Sequence, residues 1–428
     1  MSQTNAKSTV TLEIDSLAYG PYGVGRLDGK ALLVPKCAPG DKIEARIVES
    51  KPRYAVGEAL RVIEPSPHRQ APPCPFVDGC GGCPWQQVRY DAQLQAKQQN
   101  VESALRRIGR LDGFELRPII PSPLEYRYRR RIRLQCDGDK IGFFRSASHE
   151  LIEINDCLIA DEKLTGLIAS LRNWIGKIAT PLEYLEIVTG DEPKQIVVVG
   201  KASAQWNAED QANCEQLLEA NSGVTGLVLR GPAWRRGWGR TEISVVAEEG
   251  VALSVEADVF TQVNPEGNRK IVHELLAIAG FETRNRVLEL YCGAGNFTLP
   301  IARRTAEVIA VEGAPLAIQS GKLSAQRNGI ENIRWIHSAV PAALAQLKRR
   351  REKFSQLVLD PPRAGAKGLE AELASLGAAK LLYVSCDPAT LARDLAALAK
   401  HGYRLRTIQP VDLFPHSFHV ETLALMTR

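Results

Sequence analysis

A cysteine stands at the junction of an apolar run and a helical pattern in "LLYVSCDPATLARDL", residues 381–395. Asp387 suits a helix N-cap and Pro388 its first turn. The Cys386 thiol is then expected near a helix N-terminus, where the dipole favours thiolate and lowers the pKa. An inert, buried residue is the ordinary fate of cysteine. Position argues for a nucleophile instead. "LVLDPPRAG" ends a second apolar run at Asp360, and paired prolines stop it there. Two such strand ends meet at one edge of a parallel sheet, where sheets of this kind bind ligands.

A third stretch, "VLELYCGAGNFTLPIA", reads as strand, glycine turn and helix. Gly293 and Gly295 let the backbone approach a ligand, but Thr298 occupies the place of the third glycine of a dinucleotide fingerprint. Glu312 ends the next strand, "EVIAVEG", and suits ribose hydroxyls. The pair fits an adenosine-containing cofactor other than NAD. A thiolate beside such a cofactor suggests one chemistry in particular. Uracil C5 is a poor nucleophile, and thiolate addition at C6 makes C5 carbanion-like. C5 then accepts a methyl group from S-adenosylmethionine, and a base removes the C5 proton so that the thiolate leaves by elimination. That base is expected near the same edge, where "FPHSFHVETLALM" supplies His416, His419 and Glu421. Glu421 is the choice, because partial desolvation raises a carboxylate's basicity.

A separate cluster, "CPFVDGCGGCP", places Cys74, Cys80 and Cys83 within ten residues, with glycines that allow tight turns. A fourth ligand must come from elsewhere, Cys136 or Cys157. Four thiolates suit structural zinc and an iron–sulfur cluster equally.

The elements that must hold these groups imply several domains. A chain of 428 residues is too long for one ordinary core. Short strands broken by glycine and proline run from Thr9 to Ile63, as in a small antiparallel barrel. "PSPHRQAPP" reads as a linker, and a helical pattern follows from about Tyr90 to Ile108. From about Asn285, strands alternate with helices in the pattern of a parallel α/β sheet. The composition, 44% hydrophobic and 24% charged, is globular. No apolar run approaches membrane-spanning length and the first residues lack a signal-peptide core, so a cytoplasmic protein with no membrane partner is expected. Nine cysteines are then thiols or metal ligands rather than a disulfide framework.

These stretches, with "FTQVNPEGN", resemble the RNA uracil-5-methyltransferases, in particular the bacterial 23S rRNA members with an N-terminal TRAM domain and an iron–sulfur cluster. The resemblance spans nearly the whole chain. It implies an OB-like TRAM barrel over residues 1–66, an α+β central domain with the cluster over 67–255, and a Rossmann-like α/β methyltransferase domain over 256–428. The helix near 90–110 would pack on the catalytic domain. The resemblance assigns a [4Fe–4S] cluster to Cys74, Cys80, Cys83 and Cys157, the nucleophile to Cys386 and the base to Glu421. It maps the S-adenosylmethionine site to Gln262, Tyr291, Asn296, Glu312 and Asp360, and places Phe260 near the target base. Glu289, Tyr291 and Asp387 stand where relatives often carry Asp, Phe and Asn, and Ala339 lacks a polar side chain that usually helps hold the adenine.

The implied function is methylation of uridine C5 in 23S rRNA by a monomer. A tRNA substrate, or a vestigial site in an RNA-binding ribosome assembly factor, are the alternatives. Flipping a base costs a few kcal/mol. "YRYRRRIRL" and "RGPAWRRGWGR" interleave arginines with aromatics, as an RNA-binding face would, whereas "KRRREK" reads as a solvated helix end.

Overall fold

The computed structural model describes residues 8–428. Five strands, Thr9–Leu17, Tyr22–Leu27, Lys30–Pro35, Lys42–Ser50 and Tyr54–Glu64, close into a barrel. Alternation builds it: Ile43, Ala45 and Ile47 point inward while their neighbours face solvent. Gly25 is required where strands cross closely, since a Cβ there would lie 2.4 Å from the Glu13 carbonyl oxygen.

A seven-stranded sheet follows, running in order from Trp234–Gly239 through Val224–Gly231, Ile196–Ala202, Leu182–Thr189, Arg131–Asp137 and Lys140–Phe144 to Leu151–Glu153. Its pairs are antiparallel except Ile196–Ala202 with Val224–Gly231. Helices Ile168–Ile175 and Gln211–Ala220 bury their apolar sides in one core with this sheet. A hairpin, Glu242–Glu248 with Val251–Glu256, shares a second core with Ala294, Leu299 and Ala317 and so joins the sheet to the C-terminal region.

The C-terminal sheet has eight strands, in the order Ile333–His337, Glu307–Glu312, Arg286–Leu290, Gln356–Leu359, Lys380–Ser385, Glu421–Thr427, Arg404–Val411 and Glu115–Leu116. The first five are parallel, and Glu421–Thr427 runs antiparallel to both its neighbours. It therefore begins at the edge where the parallel strands end. Ser385 is paired with Thr422. One residue further out on each strand stand Cys386 and Glu421, so sheet register sets thiol and carboxylate side by side.

The helix Tyr90–Arg107 belongs to this C-terminal body: Val101, Ala104 and Leu105 share a core with Leu391 and Leu395 of the helix Pro388–Lys400. It carries a fully buried ion pair, Lys97 Nζ to Asp412 Oδ1 at 2.6 Å. The Tyr90 hydroxyl donates to Asp412 Oδ2 at 2.9 Å, and Lys97 also donates to the Phe414 carbonyl. The network pins the segment between Val411 and Glu421 to the helix. Among the described residues no helix is long and apolar enough to cross a membrane.

Candidate active site

Beyond the carboxyl ends of the parallel strands lies a cavity of about 820 Å³. Cys386 and Glu421 line it, as do all five residues mapped to the cofactor: Gln262, Tyr291, Asn296, Glu312 and Asp360. Asp387 caps the helix Pro388–Lys400, its carboxylate accepting from the backbone N–H groups of Ala389 and Thr390 at 3.0 and 2.8 Å. Tyr291 holds a φ of +64°, a left-handed value rare for a non-glycine residue and concentrated at functional sites. Gly293, at φ +54°, faces open space where a Cβ would stand. Glu312 accepts from the Gly293 and Ala314 amides at 3.0 and 2.8 Å, fixing the glycine turn. Asn296 and Asn268 exchange side-chain amide bonds at 2.8 and 2.9 Å. Phe260 is 71% exposed at this cavity, which for an aromatic leaves a free face for stacking.

Burial governs the electrostatics. Glu421 is pushed up to about 8 by desolvation, with the Asp360 charge adding and Arg363 opposing. Asp360 is raised to about 7 by desolvation. The Cys386 thiol is pushed up to about 11, by burial first and then by Glu421, while Arg363 pulls it down. This corrects the expectation of a dipole-lowered thiolate: the helix N-terminus is present, but desolvation and a facing carboxylate outweigh it. His419 is lowered to about 4 by burial and by Arg363, so its imidazole is neutral near neutral pH.

Sequence reasoning gave no role to Arg363, although it directly follows the prolines of "DPPR". It lines the cavity and is the cation that lowers both Cys386 and Glu421. Ala339 and Ser338 stand outside the lining. Ala339 occupies the N-cap position of the helix Val340–Arg349, and the Ser338 hydroxyl donates to its carbonyl at 3.1 Å.

Cys74, Cys80, Cys83 and Cys157 line a second cavity, of about 320 Å³. Cys136 does not line it. Burial first, then the neighbouring thiols, push Cys83 up to about 12. Arg129 faces the same cavity, and its buried Nε has no hydrogen-bond partner among the described residues. No group of three or more His, Cys, Asp or Glu among the described residues is arranged to hold a metal ion.

Residues 89–428 match the family described as tRNA (Uracil-5-)-methyltransferase, and residues 3–60 match the TRAM domain. The chain belongs to the tRNA (uracil-5-)-methyltransferase family. It is a methyltransferase with a TRAM domain at its N-terminal end. A relative named 23S rRNA (uracil(1939)-C(5))-methyltransferase RlmD, from Aeromonas salmonicida, is 33% identical over 97% of this chain and 96% of its own. The protein of that name from Vibrio parahaemolyticus is 31% identical over 97% and 95%. An uncharacterized RNA methyltransferase of Thermosynechococcus vestitus is 36% identical over the full length of both. The tRNA (uracil-54, C5)-methyltransferase of Pyrococcus abyssi, solved with S-adenosyl-L-homocysteine, shares the fold at a TM-score of 0.75 and 24% identity, over 98% of this chain and 100% of that one.

The arginine-rich stretches of this methyltransferase are engaged differently from the expectation. Arg127 pairs with Asp156, Arg130 with Asp191, and Arg131 and Arg133 with Glu186. Arg131 also donates to the carbonyls of Ala257 and Val259, so this run ties the central sheet to the segment entering the cavity. In the second stretch Arg235 pairs with Glu256 and Asp258, and Arg240 with Glu192. Arg236 lies over the Trp206 ring at 5.1 Å, within a cluster that includes Trp234 and Trp238. Acids distant in sequence turn most of these cations into braces.

Proposed function

We propose that this methyltransferase transfers the methyl group of S-adenosylmethionine to C5 of a uridine in 23S rRNA. The observation that carries the reading is the pairing of Cys386 and Glu421 in one cavity with the mapped cofactor residues. The 23S rRNA substrate is supported by full-length relatives of that name.

Cys386 sulfur, having given its proton to solvent, attacks C6 of the uracil as thiolate, and Arg363 offsets the negative charge of that thiolate. The C5–C6 double bond electrons move toward O4 as an enolate. C5 then bonds to a methyl carbon; S-adenosylmethionine, when bound, would supply that carbon as an electrophile and leave as S-adenosylhomocysteine, which keeps the electron pair of the broken S–C bond. Gln262, Asn296 and Glu312 would hold it, and the open space at Gly293 fits a ligand's close approach. Glu421, as carboxylate, takes the C5 proton. The electron pair of that C–H bond rebuilds C5=C6 and expels the Cys386 thiolate. A carboxylate raised to about 8 has the basicity the step needs.

A [4Fe–4S] cluster on Cys74, Cys80, Cys83 and Cys157 belongs to the same reading. Four thiols line one cavity of about 320 Å³, which leaves room for a cluster. The buried, unpartnered Arg129 Nε suits a site that carries net negative charge. When bound, the cluster would order the loop from Cys74 to Cys83; the methyl transfer is redox-neutral and asks no electron of it.

The test is tritium release from uracil C5 of labelled 23S rRNA and tRNA, each with and without S-adenosylmethionine. Cofactor-dependent release from 23S rRNA is expected. Release from tRNA alone overturns the substrate and keeps the chemistry. Release from neither overturns both and favours an RNA-binding assembly factor.

A further inference from the structure

Tyr19 lies in the turn that follows the first barrel strand, Thr9–Leu17, yet its hydroxyl donates to the Cys386 carbonyl oxygen at 2.8 Å. The two residues are 367 positions apart. That carbonyl belongs to the peptide joining Cys386 to the helix cap Asp387. Holding it fixes the plane of that peptide and, through the Cys386 ψ angle, the direction in which the thiol leaves the backbone. The Tyr19 ring meets Phe418 edge-on at 5.4 Å and His419 at 6.4 Å, on the segment leading to Glu421. Its hydroxyl pKa is raised, by burial first and then by Asp387 and Cys386, so it remains a donor.

The neighbouring residue extends the connection. The indole Nε1 of Trp85, a fully buried residue two positions after Cys83, donates to the Gly20 carbonyl at 3.1 Å. The Trp85 backbone amide donates to the His416 carbonyl at 3.0 Å. The barrel turn is thus held from the thiol-lined loop on one side and holds the nucleophile on the other.

We infer that Tyr19 is a positioning residue for the methyl transfer: the N-terminal barrel completes the active site by aiming the Cys386 thiol, and does not serve as an RNA tether alone. This rests on Cys386 being the nucleophile.

The test compares Tyr19→Phe, which removes the hydroxyl and keeps the ring, with Cys386→Ala and the parent protein. Single-turnover methylation is measured at saturating 23S rRNA, RNA affinity separately, and the pH profile of Cys386 alkylation by mass spectrometry. Tyr19→Phe is expected to slow single turnover about tenfold and to change RNA Kd by less than about twofold. The alkylation profile should change in amplitude or midpoint, which a remote structural defect would not produce. Trp85→Phe, which loses the bond to Gly20, should slow the same step, and the double variant should lose less than the product of the two. A parental single-turnover rate in Tyr19→Phe, or a loss confined to RNA Kd, overturns the inference. A covalent RNA adduct surviving in Cys386→Ala overturns the nucleophile reading instead, so the two failures are distinct.

Discussion

Two cavities in this protein are lined by half-buried thiols, and their carboxylates differ. At the sheet edge, half-buried Asp360 and buried Glu421 form no salt bridge among the described residues and are raised to about 7 and about 8 by desolvation. At the four-cysteine cavity, Asp156 is held down at about 2 by its hydrogen bonds to Arg127. The first set can exchange a proton near neutral pH, while the second is a fixed charge. Burial alone does not make a thiol catalytic: Cys83 and Cys386 are both raised by it. What separates them is company: Cys386 has the carboxylate of Glu421 beside it, whereas Cys83 has other thiols.

The largest expected effect removes the thiol beside Glu421. Cys386→Ala should cost at least about 10⁴-fold in methylation and abolish the RNA adduct, whereas Cys136→Ala should leave methylation near the parental rate. Glu421→Gln should cut turnover by about 10²–10⁴-fold, because addition and methyl transfer precede the step it blocks. On the other side of the comparison, Cys83→Ser should remove the brown colour and visible absorbance of anaerobically purified protein. Colourless parental protein that binds zinc would reject the cluster.

The buried ion pair that pins the segment before Glu421 gives a stability effect. Lys97→Met should destabilise the fold by about 3–5 kcal/mol, since Asp412 is left buried and unpaired, and adding Asp412→Leu should restore part of the loss. Denaturant titration of both variants measures this. The smallest effect is in pH. Glu421 must be ionised to accept the C5 proton, and its folded pKa lies near 8. The rate of tritium release should therefore climb steeply with pH below 8 and less steeply above it, where only the Cys386 thiol still ionises. A profile flat from pH 6 to 9 would assign the base elsewhere.

Much of this site was legible because its parts are local. Asp387 and Pro388 announce a helix start in sequence, and the bonds from Ala389 and Thr390 are within three residues of the cap. The pattern of strands from Asn285 likewise places Glu312, Asp360 and Cys386 at one edge. What escaped depends on partners distant in the chain. The Cys386 pKa is set by burial and by Glu421, which only folding supplies. The arginines of "YRYRRRIRL" read as a free cationic face until Asp156, Asp191 and Glu186 arrive from other elements. Glu115–Leu116 is too short to announce itself as a strand, and it forms only because Arg404–Val411 offers an edge. Tyr19 gives no signal at all, since its partner lies in a different domain.

The most direct test of the central claim is to incubate Glu421→Gln with 23S rRNA and S-adenosylmethionine and look for a species that survives denaturation. A covalent protein–RNA complex is predicted, with the crosslink on the Cys386 peptide and a methyl group already on the uracil. Its absence, with RNA and cofactor both bound, or a crosslink at another residue, would contradict the account.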